Sequence, residues 1–274
     1  MPTIHPTVHP TAILEGSVEF QGDASIGPGC MLSGPITIGP GTRLIGQVFL
    51  QGPLTLGADN LLYPFVCLGY APQHLKFDRD QPGPGLTIGN GNTFREHVTV
   101  HRAFSDDQPS RVGDRNYFMV GAHAGHDCVI GDDCILTNGA MLGGHVEMDN
   151  NAMIGGNSAV HQFCRVGRGA MVGGSHAISQ DLPPFFLSTG VNVCGHINLV
   201  GLRRSGMSSE EKADVQFVFK TLYRQRLSIT SAMQILRDYA DRPMVAEYLK
   251  FIEGSKKGIL SARGRRLRSK LGDE

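Results

Sequence analysis

A six-residue beat runs through most of this chain and leaves little choice of fold. Stepping by six from Val8, every position as far as Leu68 is apolar, including Leu14, Ile26, Ile38, Leu50 and Leu62. The register resumes at Ile88, Phe94 and Val100, then runs from Val112 through Phe118, Ile130, Leu142 and Ile154 to Ile178. At an average apolar content of about 45%, twelve successive hits would arise by chance roughly once in ten thousand trials. Four residues further on in each hexad, small residues dominate, among them Ala24, Cys30, Thr42, Ala122, Cys128, Cys134, Ser158, Cys164 and Ala170. A helix would repeat near 3.6 and an ordinary strand at 2. Six is the signature of a parallel β-helix, in which one large side chain per short strand fills the core and a small one fits the bend. Glycine often follows the large residue, as in Ile26-Gly27 and Ile38-Gly39, and can take turn dihedrals closed to other residues. Three hexads close a triangular coil of 18 residues, and coils stack at about 4.8 Å.

The 36 glycines fit a fold that turns a corner every few residues. Cys30, Cys128, Cys134 and Cys164 occupy the small interior position, so they read as core filler. No CxxC pair occurs, and reduced thiols in a cytoplasm are the simplest expectation. Two segments leave the register, 69–85 and 103–111, and loops extruded from a rigid solenoid are natural carriers of function. The expected organisation is a β-helix of about ten coils over residues 1–190, with extruded loops at 69–87 and 103–111, and a helical domain over 191–274. Ser208-Ser209-Glu210-Glu211 resembles a capped helix start, and helical patterns follow at 229–239 and 244–252. No apolar run approaches the ~20 residues of a membrane-spanning helix, and Met1–Pro6 shows no secretory signal. Stable membrane insertion and nucleic acid are therefore not expected. Charge is uneven: residues 1–195 hold 9 Lys/Arg and 16 Asp/Glu, whereas 196–274 hold 16 and 9. A basic C-terminal face suits an acidic partner or a phosphate.

Stacking of 18-residue coils turns sequence offsets into columns. His126, Gly144 and Gln162 fall in one column, and Asp127, His145 and Phe163 in the next. His123 and His161 lie on neighbouring turns, and His97 and His101 on the coil below. Histidine suits proton transfer near neutrality. An adjacent carboxylate fixes its tautomer, and a glycine N–H one coil above can stabilise an oxyanion. No serine or cysteine nucleophile is expected beside the base, so a substrate hydroxyl would attack a thioester directly. The rival readings are a zinc hydratase that uses three histidines and an inert scaffold.

The segments Ala122-His123-Ala124-Gly125-His126-Asp127-Cys128, Gly143-Gly144-His145-Val146, Val160-His161-Gln162-Phe163-Cys164 and Gly201-Leu202-Arg203-Arg204 resemble the UDP-N-acetylglucosamine 3-O-acyltransferase family. Arg95-Glu96-His97-Val98-Thr99-Val100-His101-Arg102 and Gln73-His74-Leu75-Lys76 fit as well, and the resemblance spans nearly the whole chain. It implies a left-handed β-helix and a homotrimer with sites between subunits. It also implies the first step of lipid A synthesis, in which a (3-hydroxy) fatty acyl chain leaves the phosphopantetheine thioester of acyl carrier protein for a UDP-sugar. No other cofactor and no metal are expected.

By motif, the resemblance makes His126 the general base, Asp127 its support and Gly144 the oxyanion donor. Gln73 and Lys76, the latter on phosphate from the adjacent subunit, would bind substrate, as would His101, His123, His145, His161 and Gln162. Asn198 and Arg204 would hold the UDP moiety, and Gly174 would leave room for a longer acyl chain. The chain departs from the family pattern at His74, Val200, Ser205 and Gly121, around the nucleotide and the sugar 2-substituent. A 2,3-diamino sugar acceptor therefore stands as the alternative. Arg203 and the basic residues at 263–268 are expected to help dock the acidic carrier.

Overall fold

The computed structural model describes residues 6–78, 81–105 and 108–262, so the basic cluster at 263–268 lies outside the described residues. Short strands form three sheets of eleven, nine and eight strands, in which hydrogen-bonded neighbours are three strands apart in sequence except at the closing hairpin of the eleven-stranded sheet. The chain thus winds as a left-handed parallel β-helix of about ten turns. The register gives the lap length directly. Thr7 pairs with Ser25, Ser25 with Arg43 and Arg43 with Leu61, each 18 residues apart. Two laps are longer, because Leu61 pairs with Thr93 and Thr93 with Tyr117. The spacing then returns to 18, from Tyr117 through Ile135 and Met153 to Met171.

The two long laps carry the extruded loops. Strand pairing continues to Tyr70 and resumes at Leu86, and it runs to His101 and resumes at Ser110. The extrusions are therefore 71–85 and 102–109, slightly tighter or shifted relative to the sequence expectation.

The hexad residues fill the prism. Ile26, Leu32, Ile38, Leu44 and Leu50 are buried, and Ala24, Cys30, Cys128, Cys134 and Cys164 pack beside them at the corners. All six cysteines are free thiols. The first lap is the exception. Val8 and Leu14 are 38% and 36% exposed, because no described coil stacks beneath them. The glycine after the large residue is there for room rather than for dihedrals. A Cβ on Gly39 would sit 2.5 Å from the Gly57 carbonyl carbon of the next coil, and neither Gly27 nor Gly39 has positive φ. The left-handed turn position comes two residues later, at Gly29 or Gly41.

One interior corner is polar. The Asn60 N–H donates to Thr42 Oγ1 (3.1 Å), and the Asn92 N–H and Nδ2 both donate to Asn60 Oδ1 (2.9 Å). The Asn116 N–H donates to Asn92 Oδ1 (2.8 Å), and the Cys134 N–H to Asn116 Oδ1 (2.7 Å). This ladder staples the two long laps at the corner between the eight- and eleven-stranded sheets, the next corner after their loops.

The last coil is closed by a hairpin. Phe186–Gly190 runs parallel to Met171–Val172, and Val193–Ile197 returns antiparallel, so the sheet continues past residue 190. Four helices follow: α1 (Leu199–Arg204), α2 (Ser209–Tyr223), α3 (Ile229–Arg237) and α4 (Pro243–Glu253). Ser208 and Glu211 form the capping box of α2 that the sequence suggests, whereas α1 has no apolar periodicity to announce it. The helices are anchored to the end of the solenoid. Arg168 pairs with Glu247 (2.6 Å), and Tyr248 Oη donates to the Pro184 carbonyl (2.7 Å). Among the described residues, no helix is long and apolar enough to cross a membrane.

The asparagine ladder gives a stability prediction. Asn92→Ala strands the buried Asn116 N–H and removes one of the two bonds to Asn60 Oδ1, and should lower unfolding free energy by about 2 kcal/mol. The exposed control Thr55→Ala should stay within about 0.5 kcal/mol. Urea unfolding at a fixed protein concentration measures both.

Candidate active site

The catalytic candidates sit at the corner between the nine-stranded and eight-stranded sheets. Asp127, His145 and Phe163 occupy the same corner position on successive coils, and all three take left-handed φ values of 59°, 60° and 66°. The inter-coil ladder passes straight through this corner. The His145 N–H donates to the His126 carbonyl (2.9 Å), and the Phe163 N–H to the Gly144 carbonyl (3.1 Å). Position 144 therefore stands one coil above position 126, as the lap arithmetic requires.

His126 Nδ1 lies 2.6 Å from Asp127 Oδ2. The carboxylate is otherwise held by the second loop: Phe104 N–H (3.1 Å) donates to Oδ2, and Ser105 N–H and Oγ (both 3.0 Å) donate to Oδ1. The Asp127 N–H in turn donates to Ser110 Oγ (2.8 Å). Burial alone would raise the Asp127 pKa, but the bonds from His126, Ser105 and Phe104 outweigh it and hold the carboxyl well below the usual range. With Nδ1 giving its proton to a carboxylate, the neutral imidazole presents an unprotonated Nε2.

That side of the ring lies against Gly144. A Cβ on Gly144 would fall 2.8 Å from His126 Nε2 and 2.7 Å from Cε1, so the imidazole occupies the space a side chain would need. Gly144 does not have positive φ, so its role is clearance and not a turn. Among the described residues, its N–H has no protein acceptor.

A cleft of about 440 Å³ opens in front of this dyad, lined by His101, His123, His126, Gly144, His161 and Gln162, with Gln73 and His74 from the first loop. His123 Nδ1 is 2.7 Å from Thr99 Oγ1, and burial, with His126 nearby, pulls its pKa down. His101 is buried edge-on to His123 (5.1 Å) with no partner for Nδ1. Burial first, then His123, His126 and Arg102, bring its pKa to about 4. His145 stands edge-on to His126 (5.2 Å), with Nε2 3.5 Å from Asp127. Burial lowers its pKa, against the pull of Asp127. A larger cavity of about 960 Å³ lies under the helices, but no histidine or carboxylate lines it.

Four candidates lie outside this cleft within the single chain. Lys76 is exposed on the first loop. Asn198 caps α1, accepting from the Gly201 N–H (3.0 Å) and donating to the Gly169 carbonyl (2.9 Å). Arg204 is exposed in the last turn of α1. Gly174 sits at an open corner, where an added Cβ would meet nothing closer than the Gly156 carbonyl oxygen at 3.6 Å. His97, placed with the cluster by sequence arithmetic, instead stacks on Phe65 (5.0 Å) at the corner before the nine-stranded sheet, because the second loop lies between His97 and His126 and lengthens that lap to 24 residues.

Conversely, the sequence reading names His74 near the sugar but misses its place at the dyad, where its ring stands 5.6 Å from that of His126 and 4.1 Å from that of Phe104. It also misses Phe104, Ser105 and Ser110, which hold Asp127 but lie in or beside a loop that breaks the hexad register. Thr99 was within reach: it pairs with His123 once the inserted residues of that lap are counted.

His126, Asp127 and His145 bring three ligand-type atoms within 4.8 Å of one another. The Asp127 oxygens are already engaged by four donors and His126 Nδ1 by the carboxylate. The arrangement is a hydrogen-bonded dyad with a neighbouring imidazole, which fits proton transfer better than a waiting ligand set.

Comparisons with known proteins point the same way. Residues 181–260 match the family model described as UDP N-acetylglucosamine O-acyltransferase, domain 2. The chain is 38% identical over 260 residues to the acyl-[acyl-carrier-protein]--UDP-N-acetylglucosamine O-acyltransferase of Janthinobacterium sp., covering 92% of this chain and 98% of that protein. It is 35% identical over 254 residues to the Synechocystis sp. protein of the same name, covering 92% and 91%. The solved structure of Francisella novicida UDP-N-acetylglucosamine acyltransferase superposes with a TM-score of 0.90 at 30% identity, covering 98% of this chain and 100% of that one. Lap length, dyad geometry and full-length likeness agree: the chain is an acyltransferase and belongs to the acyl-[acyl-carrier-protein]--UDP-N-acetylglucosamine O-acyltransferase family.

Proposed function

We propose that the protein transfers a fatty acyl chain, 3-hydroxylated, from the phosphopantetheine thioester of acyl carrier protein to the 3-hydroxyl of a UDP-N-acetylglucosamine-type sugar, the first step of lipid A synthesis. The carrying observation is the single ring of His126, tied to Asp127 through Nδ1 and set against the Gly144 backbone on its other side. Nε2 takes the proton of the sugar hydroxyl as its oxygen attacks the thioester carbonyl. The negative charge that develops on the carbonyl oxygen is met by the Gly144 N–H, and the imidazolium by Asp127. On collapse the C–S bond breaks, and the departing thiolate takes the proton back from His126.

The surrounding residues supply binding. His101, His123, His161, Gln162 and Gln73 line the cleft and contact sugar and pantetheine, with His145 behind His126. Arg204, presented by the helix that Asn198 caps, binds the UDP diphosphate. The open corner at Gly174 leaves space for the acyl chain.

The assembly is a homotrimer, and two features support it. The outward face of the nine-stranded sheet is apolar at both ends of its run, with Ile13, Met31 and Met141 exposed. Leu75, at the tip of the first loop beside Lys76, is fully exposed. A partner subunit covers both, and Lys76 reaches phosphate in the neighbour's cleft. Six free thiols and a soluble acyl donor support a cytoplasmic reaction.

Three outcomes test this reading. In an acyl-transfer assay over UDP-N-acetylglucosamine and its 3-amino analogue, His126→Ala should cost about 10²–10⁴-fold in rate with the fold intact. Near-normal turnover would sink the base assignment, and preference for the amine would change the acceptor. Chains carrying Lys76→Ala and chains carrying His126→Ala, each weak alone, should regain activity when unfolded and reassembled together; no recovery would mean that each cleft is built from one chain. Asp127 has a depressed folded-state pKa, so its stabilisation is present above about pH 4 and fades as pH falls below the unfolded value toward the lower folded one. The Tm deficit of Asp127→Asn should accordingly be larger at pH 7 than at pH 3.

A further inference from the structure

Directly above the catalytic dyad, the corner column continues in an order that the reaction scheme leaves unused. His145 is stacked face to face with Phe163, ring centroids 4.5 Å apart and planes 12° from parallel. Phe163 is 50% exposed, which is unusual for a large apolar ring with no core to fill. Its neighbour from outside the solenoid is Lys257, whose Nζ lies 5.6 Å from the ring centroid.

Lys257 is not a loose surface side chain. Its backbone segment is fastened to the last coil, where the Asp181 N–H donates to the Gly258 carbonyl (2.8 Å) and the Leu260 N–H to the Asp181 carbonyl (2.9 Å). The buried Asp181 carboxylate also receives the Arg165 N–H (2.8 Å) and Nε (2.9 Å), and the Arg165 guanidinium covers the Phe251 ring at the end of α4 (4.3 Å). Arg165 is two residues from Phe163. The helical domain and the corner column are thus fastened at one place.

The lower end of the column bears on the chemistry. His145 shares Asp127 with His126, at 3.5 Å against 2.6 Å, and is held edge-on to the base. A His145 ring free to tilt would either approach Asp127 and draw the carboxylate away from His126, or swing off the His126 ring that it meets edge-on. A stacking partner of low conformational freedom prevents both, and a cation over the outer face of that partner holds it in turn.

We propose that Phe163 is a positioning residue that holds His145 edge-on to the His126–Asp127 dyad, and that Lys257 of the C-terminal segment secures Phe163, so that docking of the helical domain is coupled to the geometry of the base. The inference rests on His126 being the base.

The test uses the full chain with Phe163→Ala, Phe163→Tyr, Lys257→Met and the double variant Phe163→Ala/Lys257→Met. Two readouts are taken: kcat and KM for acyl transfer to UDP-N-acetylglucosamine, and the ring proton shifts of His145 in histidine-labelled protein. Phe163→Ala should lower kcat about tenfold, with KM changed less than about twofold, because a small displacement of a reacting group is felt in the chemical step. It should also remove the upfield ring-current shift of His145. Phe163→Tyr keeps the ring and should restore both. Lys257→Met should show a smaller loss of about two- to threefold, and the double variant should match Phe163→Ala, as expected if Lys257 acts through Phe163.

A rise in KM alone would make Phe163 a substrate contact and overturn the proposal. So would unchanged His145 shifts in Phe163→Ala, failure of the tyrosine to rescue, or additive losses in the double variant. If the unaltered protein shows no transfer, the functional reading fails by itself, and the His145 shifts still report whether the stack sets that ring.

Discussion

The structure depends on one repeated interaction, the amide–carbonyl bond between residues one lap apart. Outside the two laps that carry loops it fixes the lap at 18 residues, and every side chain in a column inherits its position from it. Slipping a strand by a single residue would turn the large hexad residue outward, so the burial of Ile26, Leu44 or Leu136 enforces the register that the ladder records. The ladder survives the corners because a few residues accept left-handed backbone. Many are Asp, Asn or His, the non-glycine types that tolerate it best, including Asp59, Asp133, Asn151 and Asn157. Asp127 and His145 are members of that set, so two residues of the candidate site are also residues that make the corner.

The dyad illustrates how a rigid scaffold and irregular loops divide the work. The coils set the height of Gly144 over His126, and loop amides set the ionisation of Asp127. Burying a carboxylate is costly unless its oxygens are bonded. Here three donors from Phe104 and Ser105 join the imidazole, so the second loop is held by the charge that it stabilises. Donors placed before reaction need little reorganisation during it, which is the physical basis of the proposed oxyanion and imidazolium stabilisation.

The end of the solenoid meets a different constraint. An open coil presents bare strand edges, and the chain covers them with the hairpin at 186–197 and the helices behind it. Arg165, Arg168 and Tyr248 make the attachment specific through hydrogen bonds to Asp181, Glu247 and the Pro184 carbonyl. Because the same coil holds Phe163 and lies two laps above Asp127, closing the solenoid and shaping the cleft are parts of one packing problem.

The hexad pattern by itself determined the coil, the core residues and the column that brings His126 under Gly144, because a lap of constant length turns sequence distance into spatial distance. It also marked Cys30, Cys128, Cys134 and Cys164 as filler and Ser208 as a helix cap, since burial at a fixed phase and capping chemistry are local. Where the lap length changes, this arithmetic stops: His97 went to another corner, and His74, Phe104 and Ser105 came to the dyad unannounced. Tertiary structure alone decided that Gly144 is glycine to make room for an imidazole, that Val8 and Leu14 lie at an exposed end, and that Lys257 rests over Phe163. Those facts depend on which surfaces meet across a loop or a domain boundary, and such distances are not written in any repeat.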